Sequence, residues 1–436
     1  AALALTAGVD IDMMATAYTR GLPLALTRGA VTMADIDAAV RRVLTLKTRL
    51  GLFDDPYRQA APVMSSARIA EHRHVAREAA RRSIVLLTNR NNALPIAAPP
   101  AHVAVLGPLA DIAEEMLGPW SGAGRAEEMI SYLAGLRQAW PQSRIECATG
   151  VAIDGTETNG IDAAVALARK ADLAILCLGE ARWMSGEAGS RARPDLPGRQ
   201  AELARAVLDL GKPVIVLLTC GRPLIVPWLI ERAAAVLAVW YLGSEAGPAV
   251  ADVLSGRWNP TGRLPITWPV EVGQIPIFHA RLPTGRPSDP GFRYSSKYLD
   301  MPNDPLFAFG HGLSYTRFEY SGLSVAPVEL RRGDRIVVEV DVANAGDVAG
   351  EENVLLFVRD PVASISRPVL ELKGMTKVPL AAGERRTARI TLACTDLAFI
   401  DASLEPRLEP GIFEFFVGPA ARTDSLLKTS VTLVAD

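Results

Sequence analysis

Cysteine is scarce in this chain, and its copies stand far apart at Cys147, Cys177, Cys220 and Cys394. No two of them form a Cys-x-x-Cys pair, which argues against a disulfide scaffold and against the usual cysteine-based zinc or redox sites. An excess of one charge is also absent, because 46 Lys and Arg balance 48 Asp and Glu to a net charge of -2. A protein that binds nucleic acid would be strongly basic. No apolar run approaches the roughly 20 residues that cross a membrane. We therefore expect neither nucleic acid nor a membrane as a partner.

The composition that remains is that of an ordinary globular protein. The 436 residues are 49% hydrophobic and 22% charged, with a mean hydropathy of +0.17. At roughly 150 residues per domain, this length predicts about three domains. The chain opens at Ala1 in a segment that resembles the end of a helix, with no Met and no signal-like region. We expect it to be cut at its front.

Residues 1–55 predict a helix, a short strand over residues 8–13 and a second helix after Thr32. A Ser or Thr followed three residues later by an acidic side chain, here Asp35, is typical of a helix start. One strand and one helix cannot close a core, so this segment is expected to be a single βα unit of something larger. Residues 56–74 are expected to form a linker.

Residues 75–320 carry four apolar runs that do not alternate with polar residues, at residues 103–106, 173–176, 213–218 and 235–240. Such strands are buried on both faces, and helical patterns lie between them. The alternation predicts a doubly wound, mostly parallel sheet, which binds ligands at the carboxyl ends of its strands. Residues 325–436 change to a period of two and predict a small antiparallel β-sandwich.

Two loops carry candidate chemistry. Residues 179–191 follow a buried strand and contain Glu180, Glu187 and Trp183, so the loop is either the place of a general acid or a solvated loop with surface ion pairs. Residues 117–125 contain Trp120 among glycines, which suits either stacking on a sugar ring or an ordinary glycine-rich turn.

Other catalytic patterns are missing from the sequence. The five histidines show no metal-ligand spacing, and no Gly-x-Ser-x-Gly elbow of a serine hydrolase occurs. Neither a Walker loop nor a Gly-x-Gly-x-x-Gly fingerprint is present. We therefore expect no metal and no organic cofactor.

Several segments in order along the chain resemble the family-three glycoside hydrolases, and in particular the bacterial periplasmic β-glucosidases of that family. These segments are residues 10–13, 44–57, 83–89, 255–265, 272–276 and 309–316. The resemblance implies a (β/α)8 barrel, an α/β sandwich and a fibronectin type III-like domain. Residues 1–55 would be the last βα unit of the barrel, residues 75–320 the α/β sandwich, and residues 325–436 the fibronectin-like domain.

The same resemblance implies the activity. It is the hydrolysis of terminal non-reducing β-D-glucosyl residues from β-glucosides or gluco-oligosaccharides by a retaining double displacement. It also favours a periplasmic or secreted location. By resemblance the acid/base is Glu187, with Glu180 as the runner-up, and Arg191 would order their loop. Trp120 and Trp183 would contact the aglycone.

The nucleophile of the family is an Asp in a Ser-Asp-Trp-like motif, and no such motif occurs in these residues. Asp10 and Asp12 lie on the following strand and match a structural position instead. The chain alone is therefore expected to be inactive, and it would associate with a barrel portion that supplies the nucleophile. Two alternatives stay open: a non-catalytic module that binds carbohydrate or protein, and a nucleotide-binding α/β protein, against which the missing phosphate loops argue.

Overall fold

The computed structural model describes residues 1–57 and 64–435, which divide into two compact units, Ala1–Glu71 and His72–Asp436. Part of the predicted linker, residues 58–63, lies outside the described residues. The predicted boundaries of the linker and of the three segments around it stay predictions.

The first unit is helical. Its helices are α1 (Ala2–Thr6), α2 (Ala17–Thr27) and α3 (Met33–Arg49), and α4 (Ser66–Ser83) begins in it and ends in the second unit. The predicted start of α3 is correct, because Thr32 and Asp35 bond each other's backbone N–H groups in a capping box. The strand predicted over residues 8–13 is wrong. A strand needs a hydrogen-bonded neighbour, and the described residues of this unit supply none.

The first part of the second unit is the predicted doubly wound α/β sandwich. Its elements are β1 (Val85–Asn89), β2 (His102–Leu106), α5 (Tyr132–Ala139), β3 (Arg144–Ala148), α6 (Ile161–Lys170), β4 (Leu173–Gly179), α7 (Gln200–Leu208), β5 (Val214–Thr219), α8 (Pro227–Arg232), β6 (Ala235–Ala238) and α9 (Ala246–Leu254). The strand order is β1-β6-β5-β4-β2-β3, and every neighbouring pair is parallel except β1 with β6. The four predicted strands are thereby confirmed.

The sheet separates two cores because successive side chains of a strand point to opposite faces. On β4, Leu176 packs with α6, α7 and α8, whereas its neighbour Ile175 packs with α5 and α9. Helices α5 and α9 touch through glycines: a Cβ on Gly135 would lie 2.1 Å from the carbonyl carbon of Gly247. Every residue of β4 and β5 is buried, which explains why these strands show no alternation in the sequence.

The rest of the second unit is a fibronectin-like β-sandwich, as predicted. Its strands are β7 (Phe318–Ala326), β8 (Glu329–Leu330), β9 (Arg335–Asn344), β10 (Gly350–Arg359), β11 (Glu371–Leu380), β12 (Arg385–Ala393), β13 (Phe399–Ile400), β14 (Pro406–Arg407), β15 (Gly411–Gly418) and β16 (Leu427–Leu433). One sheet has the order β11-β10-β15-β16-β8 and the other β12-β9-β7. Alternate residues of β9 are buried between them, as its period of two predicts.

Candidate functional site

The candidate site lies where β4 and β5 end, at the carboxyl edge of the parallel sheet. The last residue of β4, Gly179, has a φ of 141°, and a Cβ there would lie 1.8 Å from the carbonyl oxygen of Thr219 on β5. Only glycine allows the two strands to run this close at their ends. The next residue, Glu180, donates its backbone N–H to the same carbonyl at 2.8 Å. The side chain of Glu180 is therefore delivered to the end of the sheet.

Glu180 is fully buried, and both of its carboxylate oxygens are engaged. Oε1 accepts from Arg191 Nη1 at 2.8 Å and lies 3.1 Å from Arg222 Nε. Oε2 accepts from Ser185 Oγ at 3.1 Å and from the Gly221 N–H at 3.4 Å. A buried carboxylate is tolerated only when it is paired and hydrogen-bonded, and the two guanidinium groups meet that condition.

Arg222 joins the loop after β5 to the loop after β4. Its Nη2 donates to the backbone oxygen of Met184 and, at 2.5 Å, to that of Gly189. These two carbonyls flank Glu187 in the chain. Sequence reasoning did not single out Arg222. The only feature that could have indicated it is its position just after a buried strand. The candidate loop, residues 179–191, is thus held by a residue that follows the neighbouring strand.

Glu187 stands at the tip of the held loop and is exposed. The tip is a tight turn in which Gly189 donates its N–H to the carbonyl oxygen of Gly186 at 3.1 Å. Gly186 and Ala188 both have a positive φ, 86° and 60°, and for Ala188 this left-handed conformation is strained. We find no hydrogen bond or ion pair of the Glu187 carboxylate within residues 1–57 and 64–435. It is free to meet a ligand.

Two exposed tryptophans, Trp120 and Trp183, lie in this region. Trp120 is 73% exposed, and its Nε1 would lie 3.3 Å from a Cβ on Gly186, so it stands beside the tip that carries Glu187. Trp183 is 67% exposed and belongs to the held loop itself. The Arg182 N–H donates to Glu115 Oε2 at 2.5 Å, which links the loop of Trp183 to the residues just before the loop of Trp120.

Tyr241, which follows β6, is a further neighbour that sequence reasoning missed. Its hydroxyl donates to the carbonyl oxygen of Ala181 at 3.0 Å. A Cβ placed on Gly118 would lie 2.8 Å from the Cβ of Tyr241. Burial raises the pKa of the Tyr241 hydroxyl, which therefore stays a neutral donor. The loops after β2, β4 and β6 thus meet around this ring, which its sequence position alone does not reveal.

Asp10 and Asp12 lie in the first unit, where both carboxylates are engaged locally. Arg42 donates from Nε and Nη2 to Asp10 at 2.7 to 3.0 Å, and these bonds lower the pKa of Asp10. Asp12 accepts from the backbone N–H groups of Tyr18 and Ala15, each at 3.0 Å, and the Tyr18 bond is the largest cause of its lowered pKa. Both contacts are those of structural carboxylates.

In the part of the chain that the structure describes, no group of three or more His, Cys, Asp or Glu could hold a metal ion. No helix among the same residues is long and apolar enough to cross a membrane.

The fold is thus a doubly wound α/β domain with an exposed carboxylate on a loop at the sheet edge, followed by a fibronectin-like sandwich. The family comparisons identify both parts as those of a glycoside hydrolase. Residues 84–315 match the glycosyl hydrolase family 3 C-terminal domain, and residues 352–421 match a fibronectin type III-like domain. The chain belongs to glycoside hydrolase family 3, which confirms the resemblance.

The relatives and solved structures agree with this family. The chain is 38% identical to a periplasmic beta-glucosidase of Salmonella typhimurium over 95% of its own length and 58% of that protein. It is 36% identical to a beta-xylosidase of Formosa agariphila, and the match covers 99% of this chain and 61% of that protein. A beta-glucosidase of Listeria innocua, solved in complex with isofagomine, superposes with a TM-score of 0.91 at 39% identity. This superposition covers 99% of this chain and 60% of the Listeria chain. The chain therefore spans about three fifths of the length of these proteins.

Proposed function

We propose that this chain is the acid/base part of a retaining β-glucosidase, with Glu187 as the acid/base. The observation that carries this proposal is the position of Glu187: an exposed carboxylate with no partner among the described residues, at the tip of a loop that two arginines hold and beside an exposed tryptophan. The proposal is supported by the relatives, which include beta-glucosidases and a beta-xylosidase. We take β-D-glucosyl as the group transferred.

The proposed chemistry is a double displacement with two carboxyl groups about 5 to 5.5 Å apart. Glu187 first protonates the leaving oxygen and then takes a proton from the water that hydrolyses the glycosyl-enzyme. The nucleophile would come from a barrel portion, because no Ser-Asp-Trp motif occurs in these residues. Glu180, the runner-up, fits the acid role poorly because it is buried and four donors already contact its oxygens.

The other proposed roles follow from the same loop. Trp120 and Trp183 present broad apolar faces that would stack against the aglycone, and Arg191 would order the loop through its ion pair with Glu180. Residues 1–55 are still proposed to belong to the last βα unit of the barrel, although residues 8–13 form no strand in this chain. Residues 75–320 and 325–436 are proposed as the two following domains. A periplasmic or secreted location is proposed from the Salmonella relative.

The test is an assay of aryl β-glucoside hydrolysis by two proteins. One is the chain as it stands, and the other is the chain joined to the barrel segment of the Salmonella relative. We expect turnover only from the chimera, and turnover by the chain alone would contradict the missing nucleophile. In the chimera, Glu187→Gln should lower kcat/KM, which reports the glycosylation step, by about 10² to 10⁴ for a poor leaving group and much less for a dinitrophenolate.

The matched control is Glu157→Gln, which changes an exposed glutamate of the same domain and should leave turnover unchanged. A correctly folded chimera without turnover would refute the proposed function. Calorimetry with gluco-oligosaccharides then separates the alternatives, since binding without hydrolysis would favour a non-catalytic module.

A further inference from the structure

The buried cluster of Glu180, Arg191 and Arg222 does more than satisfy its own charges. Glu180 has no exposed surface, and the side chains of Arg191 and Arg222 are only 18% and 23% exposed. Arg191 also donates from Nη1 to the backbone oxygen of Asp195 at 2.9 Å. The cluster is therefore a fixed point at the end of β4, with little solvent to compete for its bonds.

The bonds of this cluster reach the loop on both sides of its tip. Before the tip, Ser185 bonds Glu180 and the Met184 carbonyl accepts from Arg222. After the tip, the Gly189 carbonyl accepts from Arg222 and Arg191 bonds Glu180. Only residues 186–188 remain between these anchors, and Glu187 is the middle one. Glu180 thus holds both ends of the turn that presents Glu187.

The chemistry of the cluster requires a carboxylate at position 180. All four of its partners are donors: two guanidinium groups, a hydroxyl and a backbone N–H. A glutamine has the same shape but turns one acceptor into a donor and removes the charge that balances the guanidinium groups. The amide nitrogen of that glutamine would then face one of the loop's donor groups, which now bonds a carboxylate oxygen.

We propose that Glu180 is a positioning residue, which orders the loop at residues 184–191 through Arg191, Arg222 and Ser185 so that Glu187 is presented in one place. This inference rests on the proposed function only for the role of Glu187. The order of the loop itself is a property of the chain and can be measured without catalysis.

The first experiment is amide hydrogen exchange on the chain as it stands. In Glu180→Gln we expect the amides of residues 184–191 to exchange at least about tenfold faster, while those of β5 keep their rates. Glu187→Gln, which changes the same loop at its unbonded tip, is the matched control and should leave all these rates unchanged. Unaltered loop exchange in Glu180→Gln would overturn the proposal, as would an equal acceleration throughout the α/β sandwich.

A second variant keeps the test independent of the folding of Glu180→Gln. Arg222→Lys retains the charge, but one ammonium group cannot reach Glu180 and the carbonyls of Met184 and Gly189 together as the planar guanidinium does. We expect faster exchange confined to the same loop, by a smaller factor than in Glu180→Gln. Protection equal to that of the unchanged chain would contradict the proposed role of Arg222 in ordering the loop.

The second experiment separates positioning from catalysis in the active chimera. Azide replaces the base-activated water by displacing the enzyme carboxylate from the anomeric carbon, which yields a glycosyl azide. It should therefore accelerate Glu187→Ala with an activated aryl glucoside. Glu180→Gln should show a lower kcat, a KM close to the original and no azide acceleration, because Glu187 is still present. Azide rescue of Glu180→Gln would make Glu180 the acid/base and overturn the inference. An inactive chimera would refute the proposed function and leave the exchange result standing.

Discussion

Replacing Gln200 by Leu should be one of the most damaging single changes in the α/β sandwich. Gln200 is fully buried at the start of α7, and its side chain completes the end of β4. Its Oε1 accepts from the Gly179 N–H at 2.8 Å, and its Nε2 donates to the carbonyl oxygens of Gly179 at 2.8 Å and Ile153 at 2.7 Å. It thereby fixes the residue that precedes Glu180.

The magnitude follows from the groups that the change leaves without partners. Leucine has a similar volume, so the cavity term is small, but one N–H and two C=O groups lose their bonds. Each buried group left unsatisfied costs about 1 to 3 kcal/mol, so the loss of three bonds should lower the free energy of unfolding by about 3 to 9 kcal/mol. Burying the leucine methyl groups offsets part of this loss, which favours the lower half of the range.

The assay is urea unfolding followed by tryptophan fluorescence. All seven tryptophans lie between residues 120 and 268, so the signal reports the α/β sandwich and not the fibronectin-like part. The control is Gln138→Leu on α5, where the side chain is exposed and the change should stay within about 0.5 kcal/mol. A loss in Gln200→Leu no larger than in the control would refute the argument from unsatisfied backbone groups.

Three further predictions concern the same unit. Gly135→Ala should lower the free energy of unfolding by about 1 to 3 kcal/mol because its Cβ would press on the backbone of α9, whereas Gly273→Ala, with no atom within 4 Å, should be nearly neutral in the same assay. Ala188→Gly should raise the free energy of unfolding by about 0.5 to 1 kcal/mol, because glycine adopts the left-handed φ of 60° without strain. A loss of stability measured by calorimetry would contradict this. Burial lowers the pKa values of His279 and His311, so the unfolded state takes up protons first. Stability should be full above the ordinary pKa of about 6.5 and should decline as the pH falls below it, and unfolding midpoints that rise on acidification would contradict this.

The sheet of the second unit illustrates what a local pattern can predict. Strands β4 and β5 are continuous apolar runs because both faces are buried, and β9 alternates because only one face is. The strand expected over residues 8–13 failed for the complementary reason: its pattern was apolar enough, but no hydrogen-bonded neighbour exists among the described residues of its unit. Strand β3 was missed because its residues are mostly half-exposed or exposed at the sheet edge.

The amino-acid sequence by itself determined the fold class and placed the candidate loop directly after a buried strand, because burial on one or two faces leaves a periodic pattern along the chain. It could not separate Glu180 from Glu187, since both stand in the same short loop after the same strand. Only the tertiary structure separated them. It buries Glu180 against an arginine that is 42 residues away in the chain, and it leaves Glu187 exposed at the tip. The environment of a carboxylate depends on such distant partners, and their approach is decided by the packing of β4 against β5.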